Sequence, residues 1–282
     1  MSTSTANPQK KHLPKKIGLY SLLAVGVIIS IFPFYWMIIG ATNPSGEIFS
    51  IPPSLIPGTY LVENFINLNE SIGILRVVFN SLFIALSFTV LSLLICSAAG
   101  YAFAKFTFKG RDVIFFVLLL SMMIPYHVTL IPLFRIFVEL NWLNTYQAVI
   151  LPQLAYPFAI FLMRQNMQAI PSTLLEAARV DGAGEFRIFF KIVLPTMRPA
   201  LAAVAIFLFM FQWNNFIWPL VVLNSGEMYT LPVALSSLIG LSDIDYGQIT
   251  LGAAISVVPI MVFFLILQKQ FIAGILGGSV KG

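Results

Sequence analysis

Six runs of apolar residues, separated by polar segments, account for most of this 282-residue chain. They cover residues 17–42, 75–104, 113–137, 148–167, 199–222 and 250–268. A helix rises ~1.5 Å per residue, so ~20 residues cross ~30 Å of hydrocarbon. The pattern therefore predicts an all-α membrane protein with six transmembrane helices, the longer ones tilted or projecting beyond the lipid. Seven prolines fall in these runs: Pro33, Pro125, Pro132, Pro152, Pro157, Pro219 and Pro259. Each removes a backbone donor, which fits either gate hinges or ordinary helix shaping.

The polar segments differ in character. Residues 43–74 are rich in Pro, Asn and Ser, residues 223–249 form a second long connection, and residues 168–198 form a charged insertion. An even number of spans places both termini on one side of the bilayer. If that side is the cytoplasm, it holds Lys10, Lys11, Lys15, Lys16, Lys105, Lys109, Arg111, Arg164, Arg179, Arg187, Lys191, Arg198, Lys269 and Lys281, leaving only Arg76 and Arg135 outside. Fourteen basic residues against two is a strong positive-inside asymmetry, and one span more or fewer would scramble it. The expected layout is a cytoplasmic tail over 1–16, one membrane domain over 17–270 with a cytoplasmic loop over 168–198, and a cytoplasmic tail over 271–282.

Composition narrows the function. The chain is 59% hydrophobic and 10% charged, with a mean hydropathy of +0.91, which excludes an ordinary soluble domain. The first run follows a basic start, as in a secretory signal, but is too long for a signal core and reads as an uncleaved span. The net charge of +5 is a matter of loop placement and does not point to nucleic acid. Cys96 lies alone in an apolar run and reads as a packing residue. The sequence has no Gly-rich phosphate loop and no metal-spaced cluster of His, Cys, Asp or Glu. With only His12 and His127, no Ser/His/Asp arrangement can be built. An enzyme is not expected. The second, fifth and sixth runs hold no ionisable group deep in the membrane, and His127 is the one candidate elsewhere, so an ion-coupled carrier finds little support.

The insertion carries the most information. Pro171 or Ser172 opens a short helix with Glu176 near its start, and Gly182 ends it. Gly184 caps a second helix with Glu185 in its first turn, and Pro195 is expected to stop the unit. Leu174, Ala177 and Ala178 share one side of the first helix; Phe186, Phe189, Phe190 and Val193 form a stripe on the second. So short an amphipathic pair is not stable alone and has to pack on the spans and against a partner.

Glu176-Ala177-Ala178, three residues, Gly182, nine residues, then Ile192, Leu194 and Pro195 resemble the EAA loop of ABC-importer permeases at every fixed position. Tyr101 to Phe106 with Gly110-Arg111, Ile124-Pro125 with Ile131 to Phe134, and Trp213 to Leu220 resemble the carbohydrate branch of that superfamily. Within it the chain is similar to the smaller, second permease of maltose-type systems. Gly184 departs from the pattern, since many relatives have Ser there.

The resemblance implies a type I importer permease fold in a bacterial or archaeal cytoplasmic membrane. It implies a heterodimer with a second permease, two ATPase subunits that use ATP and Mg, and an extracytoplasmic solute-binding protein. No cofactor is expected on this chain. Glu176, Ala177, Ala178, Asp181, Gly182, Ala183 and Pro195 would couple to the ATPase, and Gly278, Ser279, Val280 and Lys281 would reach it from the tail. The implied cargo is a carbohydrate, a di- or oligosaccharide. The same role for a sugar phosphate or polyol, and an autonomous secondary carrier, are the alternatives. Trp213, Asn214, Asn215 and Trp218, with Tyr126, form a candidate substrate path, because sugars bind through amides and aromatic faces. Gln153 and Tyr156 are further candidates. Trp also gathers at membrane interfaces and Asn often bonds neighbouring helices, so the cluster has a structural reading too.

Overall fold

The computed structural model describes residues 13–240 and 244–279, with the backbone alone for 13–15, 17 and 271–279. In these residues every regular element is a helix, and the chain divides into two compact units.

The first unit comprises the described residues up to Leu68 and from Ile244 to Ile255. It holds α1 (Leu13–Thr42), α2 (Ser45–Ile48), most of α3 (Leu61–Ile72) and the start of α15 (Tyr246–Ser279). The surface of α1 is exposed along most of its length, as suits a helix facing lipid or another chain. Its end is closed by polar side chains. Buried Asn64 donates to the carbonyls of Ala41 (2.9 Å) and Asn43 (3.0 Å), satisfying groups a helix terminus leaves open. Asp245 accepts from the amides of Gly247 (2.9 Å) and Gln248 (3.2 Å) and so caps α15.

The second unit is organised around α4 (Ile74–Lys105), which packs along α8 (Pro157–Gln168) and α12 (Arg198–Trp213). Ser81, Ala85, Phe88, Ser92, Cys96 and Gly100 follow helical spacing and form its buried face. Mostly small, they let helix backbones approach closely. A Cβ on Gly100 would lie 2.6 Å from the Cβ of Met163 in α8. The Ser92 hydroxyl donates to the Leu154 carbonyl (2.7 Å), where the chain is not helical ahead of Pro157. Cys96, the packing residue, is buried beside the same carbonyl.

Both ends of α4 are tied down. At one end Asn80 donates to the carbonyls of Glu227 (2.9 Å) and Tyr229 (3.1 Å) and accepts from the Tyr146 hydroxyl (2.7 Å). At the other, Lys105 donates to the carbonyls of Gln168 and Ile170. There too the Arg164 guanidinium lies 4.0 Å from the centre of the Phe115 ring.

The helices follow the predicted runs with three corrections. Among the described residues three helices, α1, α4 and α15, are each long and apolar enough to cross a membrane; counting bent pairs as single spans gives up to six. The run 113–137 is not one helix: α5 (Arg111–Ser121) and α6 (Tyr126–Glu139) meet at 101°. The run 148–167 is bent by 46° between Tyr146–Gln153, which contains α7 (Tyr146–Ile150), and α8. The run 199–222 stops at Trp213 and resumes as α13 (Ile217–Val222) after Asn214–Phe216. The first two breaks end at Pro125 and Pro157, and the residue before a proline is driven out of helical geometry. Pro33, Pro132 and Pro259 lie inside helices that continue through them.

Candidate functional site

The insertion folds as a helix pair at the Lys105 end of α4. Its first helix, α9, spans Ser172–Val180 with Pro171 as its N-cap. Gly182 then takes φ +77°, the left-handed conformation that costs a glycine nothing, and its amide returns to the Arg179 carbonyl (3.0 Å). Gly184 is extended and opens α10 (Glu185–Ile188), which continues as a π-helical turn over Phe189–Val193 and as α11 (Leu194–Thr196). Pro195 therefore does not end the unit. It sits in the first turn of α11, where a missing amide is tolerated, and the chain turns by 84° at Met197, ahead of Pro199.

Burial also revises the faces. On α9 the covered side chains are Leu175 and Ala178, whereas Leu174 and Ala177 are exposed. On the second helix Ile188, Phe189 and Val193 are buried, whereas Phe186 and Phe190 point away. Glu176, Asp181, Gly182 and Pro195 are exposed and Ala183 is half-buried. At the end of α9 and the start of α10 stand the two most exposed apolar side chains of the loop, Val180 at 87% and Phe186 at 84% of full exposure. The loop thus presents a polar rim around two apolar knobs.

A carboxylate holds the pair together. Arg179 on α9 donates from Nε to Glu185 Oε1 at 2.7 Å, and the Tyr101 hydroxyl of α4 donates to Oε2 at 3.2 Å. The Arg179 bond above all holds the Glu185 carboxyl below its ordinary range; burial opposes it, and the Tyr101 bond and the Arg179 charge add to the lowering. A depressed carboxylate contributes stability that is present above its unfolded value and is lost as pH falls through its folded value. Acidification below the usual carboxylate range is therefore expected to loosen the pair. Amide exchange at residues 179–186, corrected for intrinsic rate, should rise there in the parent, and it should already be raised at neutral pH in Glu185→Gln.

The candidate path residues do not share one exposed surface. Trp213 is 3% exposed and donates to the Ser256 carbonyl (3.2 Å). Trp218 is 1% exposed and donates to the Ala148 carbonyl (2.8 Å). That carbonyl would normally receive the amide four residues on, but residue 152 is proline, so the indole replaces the missing donor. Trp218→Phe keeps an aromatic side chain but removes the indole N–H and some buried volume, and it leaves the carbonyl unpaired. It should cost about 1–3 kcal/mol, read as a lower thermal midpoint of the purified chain. Asn214 is exposed and bonds back to Met210 (2.8 Å), and Asn215 reaches Gln212 (3.5 Å), both at the α12–α13 break. Tyr126 opens α6 at the 101° bend, Gln153 ends the short helical turn after α7, and Tyr156 packs on Phe211 (4.7 Å). Gly278 and Ser279 lie in the last turn of α15, while Val280 and Lys281 lie outside the described residues.

Sequence reasoning did not find Tyr101 as a loop contact, since it is 84 residues from Glu185, nor the exposure of Val180.

Residues 93–276 match the family described as binding-protein-dependent transport system inner membrane component. The chain is 42% identical over 268 residues to the arabinooligosaccharides transport system permease protein AraQ of Halalkalibacterium halodurans, covering 93% of this chain and 96% of that one. It is 40% identical over 272 residues to the lactose transport system permease protein LacG of Rhizobium radiobacter, covering 96% and 98%. Its fold matches a chain from the crystal structure of a bacterial ABC transporter involved in the import of the acidic polysaccharide alginate. That match has a TM-score of 0.81 at 20% identity, over 95% of this chain and all of the other.

Proposed function

The chain belongs to the binding-protein-dependent transport system inner membrane components, and on that premise we propose that it is the second, smaller permease of a carbohydrate importer. As a member it is a multi-pass inner-membrane component of an ABC transporter, works with an ATPase and a binding protein, and is not itself an ATPase. In the proposed assembly it pairs with a different permease, and two ATPase subunits carry the ATP and Mg. One membrane domain over 17–270 lies between cytoplasmic tails. The names of AraQ and LacG, together with their full-length similarity, support a di- or oligosaccharide as cargo.

The observation that carries the coupling role is the loop itself: a helix pair fixed at Gly182 and Glu185 that leaves Val180 and Phe186 exposed inside a charged rim. Such a surface suits a groove in the ATPase. Apolar side chains supply area on docking, and Glu176, Asp181 and Arg187 set orientation. Closure of the ATPase pair around ATP moves the loop and opens the spans outward, the binding protein releases its sugar, and hydrolysis resets the cycle. Glu176→Lys reverses a charge on the exposed rim. In the assembled transporter it should lower ATP-driven uptake by at least about tenfold, the effect of like charges facing each other across an interface. Uptake at the parent rate would remove the coupling role.

A further inference from the structure

We propose that Tyr101 is the positioning residue that carries movement of the loop into α4, through the bond from its hydroxyl to Glu185. The inference rests on the reading that the loop docks an ATPase, and it names the contact by which docking reaches the spans.

Glu185 is the junction of three helices. Its carboxylate lies at the start of α10, one oxygen holds Arg179 of α9, and the other holds Tyr101 of α4. A push on either loop helix therefore reaches the same two oxygens. Tyr101 is well placed to receive it. Its side chain is 5% exposed, with its ring edge-on to Phe106 at 5.3 Å and tilted against Phe189 of the π-helical turn at 5.5 Å. Ring contacts on both flanks leave the tyrosine little freedom to swing without moving its own helix.

The preceding residue, Gly100, shows what happens to that movement. A Cβ there would meet the Met163 Cβ at 2.6 Å and the Arg164 amide nitrogen at 2.9 Å, so α4 and α8 touch backbone to backbone at this level. Force entering at Tyr101 passes into a packed pair of spans and is not absorbed by soft side chains. Besides the polar contacts gathered at Tyr101, the helix pair is attached through the apolar Leu175, Ile188, Phe189 and Val193. Apolar contact resists separation but has no direction, whereas a hydrogen bond to a carboxylate does. Lys105 holds the carbonyls of Gln168 and Ile170, which precede the helix pair, so these bonds do not tie its second helix to α4.

The test uses the complete transporter in lipid nanodiscs, with hydrogen exchange measured with and without a magnesium complex of a non-hydrolysable ATP analogue. In the parent, nucleotide should change exchange both in the loop, residues 172–188, and at the end of α4, residues 97–105. In Tyr101→Phe, which keeps the ring, and in Glu185→Gln, the loop should still respond. The α4 response should fall at least about fivefold, the lower end of ordinary coupling strengths. The double variant should lose no more than Glu185→Gln alone, because that substitution already weakens the Tyr101 bond along with the Arg179 one. An undiminished α4 response in both single variants, with the loop still responding, overturns the strut and leaves the docking role standing. A parent in which nucleotide changes neither segment overturns both. A merely structural role would lower assembly yield and leave the ratio of the two responses unchanged.

Discussion

Gly182→Pro should reduce uptake by the assembled transporter more than about 100-fold, the largest loss expected from any single loop substitution. The parent residue sits at φ +77°, and proline fixes φ near −65°. The substitution also deletes the amide that bonds the Arg179 carbonyl at 3.0 Å. The mismatch costs at least ~3 kcal/mol, which corresponds to more than a hundredfold loss of the turned conformation. Without that turn Arg179 and Glu185 cannot meet, and the two exposed knobs separate. Gly182→Ala separates conformation from space. A Cβ there meets nothing within 4 Å, so only the left-handed backbone is penalised, by about 1–2 kcal/mol. Uptake in this variant should fall only about tenfold. Equal losses in the two variants would mean that the turn geometry is not what matters.

Gly100→Ala should produce the second large effect, on stability. The added methyl meets the Cβ and backbone carbon of Met163 at 2.6 and 3.0 Å and the Arg164 amide nitrogen at 2.9 Å. None of these is the free end of a flexible side chain, so α4 and α8 have to part. Overpacking of this kind costs ~1–3 kcal/mol, and parted helices also lose contacts around Met163, a fully buried side chain of α8. The thermal midpoint of the purified chain in detergent should drop by about 5 °C. Gly184→Ala is the control. It adds the same methyl at φ −71° where nothing lies within 4 Å, and it should leave the midpoint within about 1 °C. If both variants behaved alike, the close approach at Gly100 would not be limiting.

The loop was legible because its helix ends are fixed by local chemistry. Pro171, Gly182 and Gly184 each act within a turn of their own position, and the structure places all three at helix boundaries. Which side of a short helix is covered is a tertiary matter. Leu174 and Leu175 are equally apolar, yet only Leu175 meets the spans. Proline shows the same limit. Pro125 and Pro157 stand at bends of 101° and 46°, whereas Pro33 and Pro259 lie within continuous helices, because neighbouring donors and packing decide whether a freed carbonyl bends the chain. Trp218 carries a clear aromatic signal, but its indole partner lies 70 residues away, at a carbonyl exposed by another proline. The cargo is not legible in the loop at all, since the role proposed for the Glu185 contact is to couple and not to select.

Val180 and Phe186 have a consequence for the life of the subunit before assembly. A newly inserted copy holds two nearly bare apolar side chains in water, each worth ~1.5–3 kcal/mol on burial. An unpaired copy is therefore adhesive, and chaperones and proteases that patrol for exposed apolar surface can recognise it. The feature proposed to dock the ATPase also marks every surplus copy for removal, which favours matched production of the subunits.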